Sequence, residues 1–87
     1  MQINEIKNIV RKDSPIYYRR CYSGDAALEF AGIKKDYKID FIIELKPTGE
    51  KSITITFAQA VDYPIMPIKK GIKELINKLD ENGELPE

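Results

Sequence analysis

"SPIYYRRCYSGDAALEFA", residues 14–31, decides how this chain divides into elements. Residues 16–22 (IYYRRCY) are rich in β-formers and read as a strand. Ser23-Gly24-Asp25 reads as a tight turn, with Gly24 available for positive φ. Residues 26–31 are then the second strand of a hairpin or a short helical turn. The strand is preferred, because so short a segment makes a poor isolated helix and the small loop suits a hairpin.

On a regular strand Ile16, Tyr18, Arg20 and Tyr22 share one face, and Tyr17, Arg19 and Cys21 the other. One of two adjacent arginines must therefore point toward whatever covers the sheet. Turned outward, Tyr18, Arg20 and Tyr22 form an aromatic and guanidinium platform of the kind that stacks single-stranded nucleic acid. The competing reading is cross-strand Tyr/Arg packing on an edge or a dimer seam. The register of residues 16–22, and so the exposed arginine, stays open at this level.

Working outward, Ile3, Ile6, Ile9 and Val10 are spaced as in a short amphipathic N-terminal helix over residues 2–11, stopped by Ser14-Pro15. Residues 37–46 (YKIDFIIELK) alternate apolar and polar and predict a half-buried strand. Residues 51–58 (KSITITFA) alternate again, and the intervening PTGE predicts a turn, so these two form a hairpin. Ile68, Ile72, Leu75, Ile76 and Leu79 trace one apolar stripe of a C-terminal helix, entered through Pro64 and Pro67 and ended by Asn82-Gly83. Gly71, inside that helix, lies on the edge of the stripe and predicts close approach of helix and sheet. The expectation is an α+β domain: an antiparallel β-meander of three to four strands, a C-terminal amphipathic helix on one face, and a short N-terminal helix.

The 87 residues, 43% hydrophobic and 32% charged, are those of one folded domain. A chain this small buries only about 60–65% of its unfolded surface. Self-association would extend its core, and a homodimer is the expected state. Its single cysteine forms no internal disulfide, and no apolar run approaches the length of a membrane span. A cytoplasmic location without membrane contact is the simplest expectation. Net charge is zero but uneven, with net +3 over residues 1–22 and net −4 over residues 74–87. That balance lacks the basic footprint of a duplex binder.

The chain contains no histidine. This removes the commonest acid/base group and the commonest metal ligand. No zinc-ligand spacing, P-loop or dinucleotide fingerprint occurs. Cys21 has Arg19 and Arg20 nearby to favour a thiolate but no base near it in sequence, and reads as a small strand hydrophobe. Asp40 and Glu44 share a strand face about 13 Å apart, too far for a glycosidase pair. Lys69, Lys70 and Lys73 near the start of the last helix are candidate phosphate contacts, or simply a solvated face.

A β-meander followed by one helix resembles, in topology, the Pur-alpha family and the whirly-type single-strand DNA binders. Those pair through helices or sheets and bind strands on the exposed sheet face. The resemblance is one of topology, with no motif matched residue by residue. The expected function is a small non-catalytic interaction or regulatory module, without cofactor, that self-associates or binds a protein partner. The alternative is a single-stranded nucleic-acid binder using Tyr18, Arg20, Tyr22, Lys69, Lys70 and Lys73.

Overall fold

The computed structural model describes residues 2–61 and 64–86. Strands β1 (Gln2–Lys12), β2 (Arg19–Phe30), β3 (Ile33–Leu45) and β4 (Lys51–Phe57) are followed by helix α1 (Ile65–Glu81). The strands form one antiparallel sheet in the order β1-β2-β3-β4. The α+β meander with a C-terminal helix on one face is therefore present. Ile68, Ile72 and Ile76 of α1 are buried against Tyr22, Ala26 and Leu28 of β2, Tyr37, Ile39, Phe41 and Ile43 of β3, and Ile55 of β4.

The expected N-terminal helix is instead strand β1, and the cause of the difference is a pair of bulges. Ile3 pairs with Leu28 and Ile6 with Ala26, so β1 advances three residues while β2 advances two. The register slips between Ile3 and Glu5 and again between Lys7 and Val10, where Asn8 takes a positive φ of 55°. Each slip moves the next inward residue one place along, so Ile3, Ile6 and Ile9 all reach the core side at a spacing that mimics a helix. Their β-branched side chains favour the extended form in any case.

The expected turn at Ser23-Gly24-Asp25 is also corrected: it lies inside β2, which runs unbroken from Arg19 to Phe30. Gly24 faces the core, and its φ is not positive. A Cβ placed on it would meet the Lys7 carbonyl oxygen at 3.2 Å and side-chain carbons of Ile6 and Ile9 at 3.3 Å. Gly24 thus makes room for the bulged backbone of β1, the second common use of a strand glycine. The real hairpin turn comes later, at Ala31-Gly32. Both residues have positive φ, 51° and 80°, as a two-residue turn of the primed kind requires.

The second hairpin follows expectation. Leu45 pairs with Lys51 and Ile39 with Phe57 without a slip. Gly49, at φ 90°, donates its N–H to the Lys46 carbonyl to close the PTGE turn. In the core Tyr22 stacks on Phe41 with ring centroids 5.1 Å apart, and Tyr37 meets Phe57 edge to face. Helix α1 begins after Pro64 and ends as the Asn-Gly pair predicts. The Gly83 N–H donates to the Asp80 carbonyl and the Glu84 N–H to that of Leu79, with Gly83 at φ 69°. This double bond pattern closes the last turn. At Gly71 a Cβ would fall on the Cδ1 atom of Ile3, so the expected close approach of helix to sheet is here.

Candidate functional site: the rims of the sheet

Helix α1 resolves the Arg19/Arg20 ambiguity. Arg20 lies on the same face of β2 as Tyr22, toward the helix, and its guanidinium holds Asp80 of α1 by two hydrogen bonds of 2.9 and 3.2 Å. Lys51 at the start of β4 adds a third bond to the same carboxylate, at 2.9 Å. These donors hold the Asp80 carboxyl below its ordinary range, Arg20 being the larger cause, and Asp80 in turn strengthens Arg20's hold on its proton. Arg20 also donates weakly to the Tyr22 hydroxyl, at 3.4 Å.

The expected outward platform of Tyr18, Arg20 and Tyr22 is therefore not assembled. Tyr22 is 1% exposed and belongs to the core. Arg20 is committed to Asp80. Tyr18 is exposed, in the loop before β2, where its carbonyl accepts the Leu45 N–H at 3.0 Å. Regular alternation from Tyr22 puts Arg20 on the covered side; the missing information was which face the helix would cover.

What the structure gathers at that end of the sheet is a different set. Tyr17 is 96% exposed and meets Tyr18 edge to face at 5.5 Å. Tyr17 and Tyr18 line an open groove with Leu45, Lys46 and Pro47. On the other side of Tyr17, Arg11, Lys12 and Arg19 line a second groove with Asp13. The sequence reading passed over Tyr17, although its place beside the proline-led loop was a signal that it lay outside the regular strand.

Lys69, Lys70 and Lys73 do stand together on α1, in an open groove with Met66 and Pro67 that contains none of the tyrosines. Asp80, the residue that meets Arg20, lies about 15 Å further along the helix than Lys70 at a rise of 1.5 Å per residue. The lysines and the tyrosine end are thus separate surfaces.

The outer face of the sheet, away from α1, is laced with ion pairs. Lys7 meets Asp36 at 2.8 Å, Lys12 meets Asp40 at 2.6 Å and Arg19 meets Glu44 at 2.6 Å. Cys21 lies half-buried on this face, between Lys12 and Ile42 in register, as a free thiol. Asp40 and Glu44 are each engaged by a base rather than by one another. Among the described residues no cluster of three or more cysteine, aspartate or glutamate side chains could hold a metal ion. No described helix is long and apolar enough to cross a membrane.

No curated protein and no solved structure matches this chain. A family model does, over residues 1–81, a stretch that takes in every strand and the whole of helix α1. The chain belongs to the BB_0187 family.

Proposed function

We propose that this protein is a small non-catalytic interaction module that self-associates and meets partners through the rims of its sheet. The observation that supports this reading is where its exposed large apolar side chains fall. The inner face is occupied by α1, and the outer face carries ion pairs made within the chain. Tyr17, Tyr18 and Leu45 cluster at one end instead, with Leu45 57% exposed. Tyrosine with leucine at a rim is the composition of a recognition patch. A reducing, cytoplasmic setting suits the free, half-buried Cys21. Light scattering over a concentration series tests self-association: a rising mass supports it, and a monomer at every concentration refutes it.

One observation favours a second reading, binding of single-stranded nucleic acid. The Tyr17–Tyr18 pair offers ring faces for bases, and the grooves beside it carry Arg11, Lys12, Arg19 and Lys46 for phosphates. Zero net charge limits the affinity that phosphate contacts alone provide. Anisotropy of a labelled oligonucleotide at two salt concentrations tests this. Binding that weakens with salt and with Tyr17→Ala supports it, and no binding at low salt refutes it.

A further inference from the structure

The sheet has two edges, and they are built differently. Edge strand β1 carries both register slips, the positive φ at Asn8, and the charges of Glu5, Lys7, Arg11 and Lys12. Bulges and charges are the means by which a strand edge resists pairing with another chain. Edge strand β4 has neither. It pairs with β3 without a slip, contains no proline, and its one charge, Lys51, is held by Asp80. The rest of it is Ser, Ile, Thr and Phe, residues that favour strands.

The backbone of β4 has a definite polarity. Lys46 donates its N–H to the Glu50 carbonyl, and Ala58 donates to that of Lys38. Antiparallel ladders alternate, so these bonds set the phase of the β3–β4 pairing. Ser52, Thr54 and Thr56 turn their N–H and C=O groups toward β3. Lys51, Ile53, Ile55 and Phe57 turn theirs outward, to the open edge.

We propose that β4 is a self-pairing edge, through which two copies of this chain join antiparallel about a two-fold axis at Thr54, fusing two four-stranded sheets into one. The inference rests on the self-association proposed above and names its surface. Thr54 is the midpoint of Lys51–Phe57. Centred there, every outward-facing backbone group of the strand finds a partner. Ile53 bonds Ile55 of the second copy in both directions, and Lys51 does the same with Phe57. Thr54 falls opposite Thr54 as a non-bonded pair, with Cα atoms about 4.5 Å apart.

The side chains obey the same symmetry, because Ser52-Ile53-Thr54-Ile55-Thr56 reads nearly alike in both directions. Isoleucine meets isoleucine on the helix side, and hydroxyl meets hydroxyl on the outer side, both favourable cross-strand pairs. Ile53 and Phe57 are half-buried in the single chain and gain cover from the second copy. An isologous contact of this kind closes on itself and gives a dimer rather than a fibre.

The test uses the full chain, with Thr54 as the probe, because its side chain is exposed and points away from the helix. Sedimentation velocity over a concentration series compares wild type, Thr54→Lys, Thr54→Glu and an equimolar mixture of the two variants. Two like charges about 5 Å apart across the axis weaken the dimer about tenfold in each variant alone. The mixture, which sets lysine against glutamate, restores it. A second variant, Thr54→Cys with Cys21→Ser, cross-links into a covalent dimer under mild oxidation, since the Cα separation suits a disulfide. Thr54→Lys and Thr54→Glu chains that dimerise as tightly as wild type, or a Thr54→Cys chain that stays uncross-linked while dimeric, overturn the β4 interface and leave self-association standing. A wild-type chain that is monomeric at every concentration overturns both, and leaves the open edge to a foreign strand.

Discussion

Arg20 of β2 and Asp80 of α1 meet through two parallel hydrogen bonds, Nη1 to Oδ1 at 2.9 Å and Nη2 to Oδ2 at 3.2 Å. This contact, with Lys51 as a third member, ties the end of the helix to the second strand and to the fourth. Paired donors on a planar carboxylate need the guanidinium fork, which lysine lacks. Asp80→Ala is expected to cost about 1–2 kcal/mol, allowing for solvent screening at a partly exposed rim. Arg20→Lys costs about half of that, because one of two bonds is lost. Urea denaturation of the single variants and the double variant isolates the coupling.

The same contact makes a predictable contribution to acid stability. The Asp80 carboxyl is held below its ordinary 3.8, chiefly by the hydrogen bonds from Arg20. A group whose folded pKa is depressed stabilises fully above its unfolded value and loses that contribution as pH falls through the folded one. The difference in urea midpoint between wild type and Asp80→Asn is therefore constant from about pH 7 to pH 5 and shrinks below about pH 4. A difference that stays unchanged down to pH 2 would show that Asp80 acts through packing alone.

Gly71 and Ile3 define the closest approach of helix to sheet. Glycine inside a helix costs about 1 kcal/mol relative to alanine. Here an added Cβ falls on the Cδ1 of Ile3, the movable end of a side chain. Gly71→Ala alone is predicted to change stability by less than about 0.5 kcal/mol, because the helical gain is offset by displacing Ile3. In an Ile3→Val background, where that methyl group is gone, Gly71→Ala is expected to stabilise by about 0.5–1 kcal/mol. Thermal melts of the four proteins give the coupling directly.

Ala31 carries a φ of 51° in the turn between β2 and β3. That conformation strains an alanine, and asparagine tolerates it better through local hydrogen bonding. Nothing lies within 4 Å of a Cβ at the adjacent Gly32, so the turn stands clear of the core. Ala31→Asn, which produces the preferred Asn-Gly pair, is predicted to stabilise by about 0.5–1 kcal/mol. The measurement is again the denaturation midpoint, with function unaffected.

The two ends of the Tyr-rich stretch behave oppositely. Tyr22 is buried against Phe41, so Tyr22→Ala is expected to cost about 3–5 kcal/mol and to unfold part of the population. Tyr17→Ala, at a side chain almost wholly in water, changes stability by less than about 0.5 kcal/mol. A loss of partner or oligonucleotide binding in Tyr17→Ala, with an unchanged melting curve, separates recognition from folding.

Where periodicity is local and unbroken, the sequence determined the structure by itself. Residues 37–46 and 51–58 alternate at the strand period, the Pro-Thr-Gly-Glu turn joins them, and both appear as a register-perfect hairpin. The isoleucine stripe of α1 and its Asn-Gly stop are equally local, because one helix face and one cap need no distant partner. The N-terminal segment misled for a physical reason. Two bulges convert the strand period of two into a spacing of three, which a helix also satisfies, and those bulges exist only against β2. Gly24 reads as a turn until β1 is laid across it, whereupon its missing side chain is the space the Lys7 carbonyl needs. The choice between Arg19 and Arg20 was likewise not encoded near either residue. Adjacent strand residues face opposite sides, and which side is covered depends on a helix that ends at Asp80, sixty residues further on. Burial and charge pairing over that distance, which only the tertiary structure supplies, turned the stretch from a platform into a seam and left Tyr17 and Tyr18 outside it.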